Sequence, residues 1–350
     1  MSAPFFRAPA VARTAWHRWF LDRKAEFWIG ELRASWSLRE MRGRIVEVCA
    51  ETADTKTFTI AVPRAWPGHR AGQYVPIEVE IDGVRVRRCY SISSGGSPRG
   101  TGRIAITVKR VLGGRVSRWL HDHLAPGAIV RLGAPAGDFV VADSTRPLLL
   151  VGAGSGITPI MAIVRDLARS ARRDALVVHA ARSDADAIFG RELAALADIT
   201  PGLRVIAHRG RLDAAALEGY APDAATRDTF ACGPSGFMEL VTAVVGPHVH
   251  VEHFTPPQVV RAAPADAHIA RLAHSGRSIA LDGIGTLLEQ LERAGERPTY
   301  GCRMGICNSC RCTKTSGAAL DLVTGRISSA PAEEIRLCVS VPRSDLELKL

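Results

Sequence analysis

Four cysteines near the carboxyl end have the residue type and the spacing to hold a metal cluster. Four residues separate Cys302 from Cys307, two separate Cys307 from Cys310, and Cys338 lies farther along the chain. A C-x4-C-x2-C group with a remote fourth cysteine is a ligation pattern of [2Fe–2S] clusters. Two glycines in the same loop let the backbone bend and point N–H groups at the sulfurs. The pattern therefore predicts one-electron chemistry at this loop.

Other cysteine sites fit the pattern less well. A structural zinc site usually pairs two C-x-x-C knuckles, and the chain has only the one formed by Cys307 and Cys310. Disulfides are disfavoured because the amino-terminal residues do not form a basic stretch followed by an apolar one, as a secretion signal would. Cys310 and Cys312 could each be a ligand. The spacing selects Cys310, and Cys312 is expected to begin the following strand.

Size and charge limit the classes of function. The chain has 350 residues, 47% of them hydrophobic, and a formal net charge of +10. This length accommodates two or three domains with cores of their own. The arginines are scattered, and no helix-turn-helix, zinc-finger or RNA-binding signature occurs, so no nucleic-acid partner is expected. An anionic membrane surface or an acidic protein suits the positive charge better.

The longest apolar run covers residues 148–164 and is interrupted by glycines and by Pro159. These interruptions predict a strand, a loop and a helix rather than a membrane span. Without a signal-peptide pattern, the protein is expected to be cytoplasmic.

Residues 1–41 form a separate segment that is basic and rich in tryptophan. Trp28, Leu32 and Trp36 follow at helical i, i+4 spacing and share one face. A basic amphipathic helix with aromatic residues can lie peripherally on the inner face of a membrane or dock on a partner. The alternative is a helix packed on its own protein, and the sequence leaves both open.

Residues 42–144 change to short β-branched stretches separated by Pro-Gly, Asp-Gly and Gly-Gly pairs. Such a pattern predicts an antiparallel β-barrel. Strand alternation places Arg88 and Tyr90 on one face, where an aromatic ring can stack on a flat ring and a guanidinium can bind a phosphate. Farther along, Gly114 and Ser117 belong to a loop that delivers a helix N-terminus, which suits a pyrophosphate.

Residues 145–253 alternate strands and helices, which predicts a doubly wound α/β domain. The first strand, 147–151, is continuously apolar, as in a buried parallel sheet. A glycine loop, 152–159, follows it but lacks the full G-x-G-x-x-G form. A later strand ends in Cys232, Gly233 and Pro234.

Residues 254–266 are rich in Pro and Ala, as in an interdomain linker. Residues 267–350 begin with a hairpin signal and a leucine-patterned helix, and then contain the cysteine loop. This order predicts an α+β ferredoxin-like [2Fe–2S] domain.

Taken in this order, the motifs of residues 42–350 resemble the ferredoxin–NADP reductase superfamily with a C-terminal plant-type ferredoxin domain. The resemblance implies that FAD and its phosphates contact Arg88, Tyr90, Ser91, Val108, Lys109, Gly114, Val116 and Ser117. It implies that the nicotinamide cofactor contacts Gly152, Gly154, Gly156, Thr158, Pro159, Arg182, Ser183, Arg191, Cys232, Gly233 and Pro234. It also implies that Cys302, Cys307, Cys310 and Cys338 hold the cluster.

Alternatives remain open for three of these assignments: the flavin, the nicotinamide cofactor and the role of Cys232. The turn that begins at Gly114 favours FAD over FMN, because its amides suit a pyrophosphate. Arg182 and Ser183 favour NADPH over NADH, although acidic residues follow closely. Cys232 is expected beside the nicotinamide ring as a catalytic-site residue; the alternative is a buried structural cysteine.

Electron counting gives the expected reaction. A nicotinamide donates a hydride, a cluster accepts single electrons, and a flavin can do both, so the flavin must lie between them. The residues of the cysteine loop resemble those of the electron-transfer partners of bacterial acyl-CoA (stearoyl-CoA) desaturases. This resemblance implies a membrane di-iron desaturase or hydroxylase as acceptor. The alternatives are a soluble ring-hydroxylating or phenylacetyl-CoA-type oxygenase, a non-catalytic redox sensor, and a zinc-binding scaffold.

Overall fold

The computed structural model describes residues 40–99, 102–142, 144–170, 174–246, 248–254, 267–305 and 308–350. The predicted N-terminal helix, nearly all of the linker and the predicted ligand Cys307 lie outside the described residues. Four sheets, arranged in three successive domains that each have a buried core, follow one another along the described chain.

The first sheet is antiparallel. Its strands are β1 (Met41–Thr52), β2 (Thr55–Ala61), β3 (Tyr74–Ile81), β4 (Val84–Ser91), β5 (Arg103–Lys109) and β6 (Ile129–Leu132), in the spatial order β4-β3-β6-β1-β2-β5. Ile92, directly after β4, bridges to Ile106 in β5. This bridge joins the two edges, so the sheet closes as the predicted barrel. Alternating residues such as Phe58 and Ile60 fill its interior.

One helix, α1 (Arg115–His123), covers the barrel through Val116 and Leu120, which belong to the barrel core. Gly114 caps its N-terminus in an extended conformation. The glycine-rich loop therefore delivers a helix start, as the sequence predicts.

The second sheet is parallel, with strands β7 (Leu148–Ala153), β8 (Ala175–Ala181), β9 (Leu203–Arg209), β10 (Asp228–Cys232) and β11 (Val249–Glu252), in the order β11-β10-β7-β8-β9. Its helices are α2 (Ile157–Ser170), α3 (Gly190–Ile199), α4 (Ala214–Tyr220) and α5 (Ser235–Val245). Buried clusters line both faces of the sheet, which is why its central strands are continuously apolar. The strand order reverses between β7 and β10, and ligands bind at such a switch point.

The third sheet has five strands: β12 (His268–Leu272), β13 (Ser278–Leu281), β14 (Arg311–Ser316), β17 (Glu333–Arg336) and β19 (Leu346–Leu348). A smaller sheet consists of β15 (Ala319–Asp321), β16 (Ile327–Ser328) and β18 (Ser340–Pro342). Helix α6 (Leu287–Arg293) packs its leucines into the core. Thr286 and Glu289 form a capping box that fixes where α6 begins.

The three-domain fold class predicted from the sequence is confirmed by this architecture. Among the residues that the structure describes, no helix has the length and apolar character needed to cross a membrane.

Candidate functional site

The switch point of the parallel sheet brings the glycine loop against Cys232. Cys232 ends β10 and pairs in register with Gly152 of β7. A Cβ placed on Gly156 would lie 2.0 Å from the carbonyl oxygen of Cys232, so only glycine fits there. Thr158 turns its hydroxyl inward and donates to the carbonyl of Ser155 at 2.9 Å. The loop thus has no bulky side chain facing the crevice, and a flat ring can approach the backbone closely.

The other predicted residues of this crevice lie on both sides of the switch point. Gly154 has φ +54°, and Pro159 lies in the first turn of α2. Gly233 packs against Ala153, and Pro234 precedes α5. The structure therefore brings the glycine loop and the Cys-Gly-Pro turn together, as the resemblance implies.

Three polar groups from two domains meet beside this crevice. Glu252 ends β11, next to Cys232 of β10. Its Oε2 accepts a hydrogen bond from the hydroxyl of Ser91, at the end of β4, at 3.3 Å. Cys232 is fully buried, and both Ser91 and Glu252 are less than a tenth exposed. The barrel and the parallel sheet are thus joined by a hydrogen bond at the place where hydride transfer is expected.

Burial keeps these groups neutral. It raises the pKa of Glu252 to about 8, against a weaker lowering by the Ser91 hydrogen bond. Burial also raises the pKa of Cys232, and the nearby Glu252 carboxyl adds to that effect. A thiol and a carboxylic acid that stay protonated near neutral pH can hold a proton without placing a negative charge beside a hydride donor.

Arg88 and Tyr90 occupy the face of β4 that alternation predicts, but they have different surroundings. Tyr90 packs against the barrel core, and burial raises the pKa of its phenol. Arg88 Nη1 donates to the carbonyl of Arg87 at 2.8 Å and to that of Gly301 at 3.1 Å. Within the described chain no carboxylate pairs with Arg88. A guanidinium without a carboxylate among the described residues, next to a half-buried aromatic ring, fits a flavin that carries phosphates.

The Gly114 turn is held by contacts of its own. The Ser117 hydroxyl accepts a hydrogen bond from the amide of Val111 at 3.2 Å. The carbonyl of Val108 lies 2.8 Å from His121 Nε2, and Lys109 pairs with Asp54 at 3.1 Å. These contacts shape the loop before α1. Its N-terminal amides are the groups left to meet a pyrophosphate.

The predicted ribose-binding residues form a network with acidic neighbours. Arg182 Nη2 lies 2.7 Å from Asp186 Oδ1, and the Ser183 hydroxyl donates to Asp186 Oδ2 at 2.8 Å. Both hydrogen bonds, the one from Ser183 first, lower the pKa of the Asp186 carboxyl. Arg191 lies in the exposed first turn of α3. A 2′-phosphate would therefore compete with Asp186 for the arginine and the serine.

Three of the four predicted cluster ligands come together in the third domain. Cys302, Cys310 and Cys338 are each no more than 5% exposed. Cys310 Sγ lies 3.1 Å from Cys338 Sγ, which is too long for a disulfide. Backbone amides donate to two of the sulfurs, that of Met304 to Cys302 and that of Gly305 to Cys338, both at 3.3 Å.

These donors fit an iron–sulfur cluster. Contact with Cys310, then burial and the nearby sulfurs, raises the pKa of Cys338, so the chain alone opposes a thiolate there. Bound iron would offset that cost, and the donated N–H groups suit anionic sulfur. The described residues contain no cluster of three side chains arranged to hold a single metal ion, and the fourth predicted ligand is not among them.

Cys312 lies apart from this group. It belongs to β14, and its sulfur contacts the carbonyls of Thr313 at 3.6 Å and Lys349 at 3.7 Å. Burial raises the pKa of Cys312 to about 11, so it stays a thiol. The structure favours Cys310 over Cys312 as the ligand, in agreement with the spacing.

The loop that carries Cys302 and Cys310, here called the cluster loop, contacts β4 of the barrel. Besides the Arg88 contact with Gly301, Arg87 Nη1 donates to the Ser309 hydroxyl at 3.4 Å. Sequence reasoning missed Arg87 and Glu252. Glu252 had a weak signal, since it is the lone acid at the end of the last parallel strand. Arg87 had none, because its role depends on how two domains meet.

Three family models match the chain in the same order. They are described as an oxidoreductase FAD-binding domain (residues 42–141), an oxidoreductase NAD-binding domain (residues 150–243) and a 2Fe-2S iron-sulfur cluster binding domain (residues 271–343). These matches confirm FAD, a nicotinamide cofactor and a [2Fe–2S] cluster as the cofactors.

Relatives with established names cover most of the chain. An NADPH oxidoreductase of Mycobacterium tuberculosis is 38% identical over 334 residues, which cover 90% of this chain and 86% of the relative. A glycine betaine monooxygenase reductase subunit of Pseudomonas aeruginosa is 34% identical over 343 residues, or 87% of this chain and 93% of the relative. The solved structure of phthalate dioxygenase reductase has the same fold, with a TM-score of 0.61 at 24% identity over 89% of this chain and 98% of that one.

Proposed function

Because the chain belongs to the family of oxidoreductases that join an FAD-binding, an NAD-binding and a 2Fe-2S domain, we propose that it is the reductase component of an oxygenase system. It takes electrons from NAD(P)H and delivers them singly to an oxygenase. One observation carries the proposal: β4 contacts the nucleotide crevice through Ser91 and the cluster loop through Arg88. The two contacts lie three residue steps apart along the strand, which is about 10 Å.

The chemistry of the bound groups is familiar. When bound, a flavin would supply hydride exchange with a nicotinamide and single-electron exchange with a cluster. The protein supplies position and charge. The glycine loop, which includes Gly156, lets the nicotinamide ring approach the backbone, and Tyr90 forms an apolar wall. The buried Ser91–Glu252 pair would hold a proton beside the nucleotide crevice.

The class of acceptor is proposed from the relatives. Several are named as reductase components of glycine betaine or 3-ketosteroid monooxygenases. An oxygenase is therefore the proposed partner of this chain. A membrane di-iron desaturase or hydroxylase is a second candidate, favoured by the basic, tryptophan-rich residues 1–41, which would bind the inner face of the membrane.

We also propose NADPH as the preferred electron donor. Arg182 and Ser183 are the donors that a 2′-phosphate needs, and a relative carries the name NADPH oxidoreductase. Asp186 limits the preference, because its carboxylate repels the same phosphate.

The test is to reconstitute the full chain with iron, sulfide and FAD and to supply NADPH. We expect fast reduction of ferricyanide and coupled turnover with an oxygenase acceptor. A protein that binds flavin and iron but does not oxidise NADPH or NADH with any acceptor would be a redox sensor instead. A colourless protein that holds zinc would be a scaffold.

A second arm separates the two acceptor classes. Deletion of residues 1–40 should reduce coupling to a membrane desaturase and leave ferricyanide reduction unchanged. Equal coupling without the segment, or turnover only with a soluble oxygenase, would exclude the membrane acceptor.

A further inference from the structure

Arg87 is a half-buried cation that has no carboxylate partner among the residues that the structure describes. Its Nε is fully buried and has no hydrogen-bond partner among the described residues. Within those residues, the side chain donates one hydrogen bond, from Nη1 to the Ser309 hydroxyl at 3.4 Å. The acid opposite in the sheet register is Glu78. Glu78 instead lies 3.9 Å from Arg85 and 3.9 Å from Arg131. Burying a guanidinium in this way costs free energy unless an anion compensates it.

The missing anion is expected on the other side of the domain boundary. Ser309, which Arg87 contacts, precedes Cys310, whose sulfur touches that of Cys338. A [2Fe–2S] cluster held by four thiolates carries net negative charge, which grows when an electron arrives. A nearby cation in partly desolvated surroundings favours the more negative, reduced state.

We propose that Arg87, a residue of the flavin barrel, is a positioning residue for the cluster of the ferredoxin domain. Its guanidinium holds the cluster loop against β4 through Ser309 and stabilises the reduced cluster. The docked cluster then accepts an electron more readily than the undocked one. By linkage, reduction tightens docking by the same factor by which docking favours reduction. The inference deepens the proposed electron transfer and depends on it for its biological meaning.

The test measures the cluster's midpoint potential in the reconstituted full-length protein. Dithionite titration followed by electron paramagnetic resonance reports the cluster alone, so the result does not depend on NADPH oxidation. Arg87→Gln should disfavour cluster reduction about tenfold, which for one electron is a shift of about 59 mV to lower potential. The matched control is Arg85→Gln on the same strand, since Arg85 is exposed and lies 3.8 Å from Glu40.

A charge-retaining variant separates charge from packing. Arg87→Lys should keep a potential near that of the wild type, and Ser309→Ala should shift it less than Arg87→Gln does. Equal potentials in Arg87→Gln and the wild type, or the same shift in Arg87→Lys as in Arg87→Gln, would overturn the proposal. If Arg87→Gln binds no cluster, the comparison of Arg87→Lys and Ser309→Ala with the wild type decides it. A wild-type cluster that titrates normally but is not reduced by NADPH would refute the proposed function and leave the Arg87 measurement valid.

Discussion

The barrel meets its two neighbouring domains in different ways. Against the nucleotide domain, Arg165 and Arg169 of α2 donate to the carbonyls of Ser93 and Gly96, at 2.6 Å and 3.1 Å. Phe139, which follows the barrel, packs inside the nucleotide-domain core and meets Phe230 edge-on at 5.2 Å. This joint has both polar contacts and a shared apolar core.

The joint between the barrel and the ferredoxin domain has fewer contacts, and we call it the lighter joint. In the described part of the chain, the hydrogen bonds that cross it are those from Arg88 to Gly301 and from Arg87 to Ser309. The ferredoxin core is built from its own residues, beginning at Ala270. A polar joint without a shared core separates more readily than one that buries aromatic rings. The comparison indicates that the barrel is held more firmly to the nucleotide domain than to the ferredoxin domain.

The largest loss of activity should come from replacing a predicted cluster ligand in the ferredoxin domain. In Cys310→Ser, we expect electron delivery to an oxygenase to fall more than ~100-fold, because the cluster loses a thiolate, while ferricyanide reduction at the flavin persists. Steady-state assays with both acceptors measure this, and Cys312→Ser is the matched control. Equal losses in the two variants would contradict the assignment of Cys310.

Phe139→Ala should weaken the apolar joint. Truncating a buried phenylalanine costs about 3–5 kcal/mol, and we expect the loss in the transition shared by the barrel and the nucleotide domain. Calorimetry of the holoprotein would show that transition move while the ferredoxin transition stays in place. A single transition that moves as a whole would mean that the lighter joint also couples the domains firmly.

Glu252 makes the stability of the nucleotide crevice depend on pH. Its pKa of about 8 in the folded chain exceeds the value of 4.5 expected when unfolded, so the folded state keeps a proton that the unfolded state releases. Its stabilising contribution is complete below pH 4.5 and disappears as the pH rises through 8. Relative to Glu252→Gln, the wild type should lose roughly 5 kcal/mol of unfolding free energy as the pH rises from below 4.5 to above 8. Denaturant titrations at several pH values measure it, and parallel curves for the two proteins would contradict it.

Arg182 gives the smallest expected effect. Arg182→Gln should raise the KM for NADPH roughly tenfold and leave the KM for NADH unchanged, because it removes one charged donor to a 2′-phosphate. Asp186→Asn is the opposing variant and should lower the KM for NADPH. If each substitution changes the KM for NADPH and the KM for NADH by the same factor, this loop does not recognise the 2′-phosphate.

Local patterns predicted the parts of the molecule that depend on short-range rules. The cysteine spacing selected Cys310 over Cys312, and the apolar strand 147–151 indicated a buried parallel sheet. Alternation placed Arg88 and Tyr90 on one face of β4. Each of these follows from neighbours along the chain, so a single sequence contains the information.

Contacts between domains could not be predicted in this way. Nothing near Arg88 in the sequence indicates that it reaches Gly301, more than 200 residues away. Glu252 meets Ser91 only because β11 and β4 converge from different sheets. The pairing of Arg182 with Asp186 depends on a turn geometry that composition does not specify. The sequence therefore predicted which residues belong to the site better than it predicted which residues they contact.

The contacts of β4 with two domains place an unusual restriction on its length. One inserted residue between Arg88 and Ser91 would turn every later side chain to the opposite face. Ser91 would then leave Glu252 if Arg88 kept its place, or Arg88 would leave Gly301 if Ser91 kept its own. Among homologous chains, insertions and deletions should therefore avoid the interval between Arg88 and Ser91 even where the flanking loops differ freely in length.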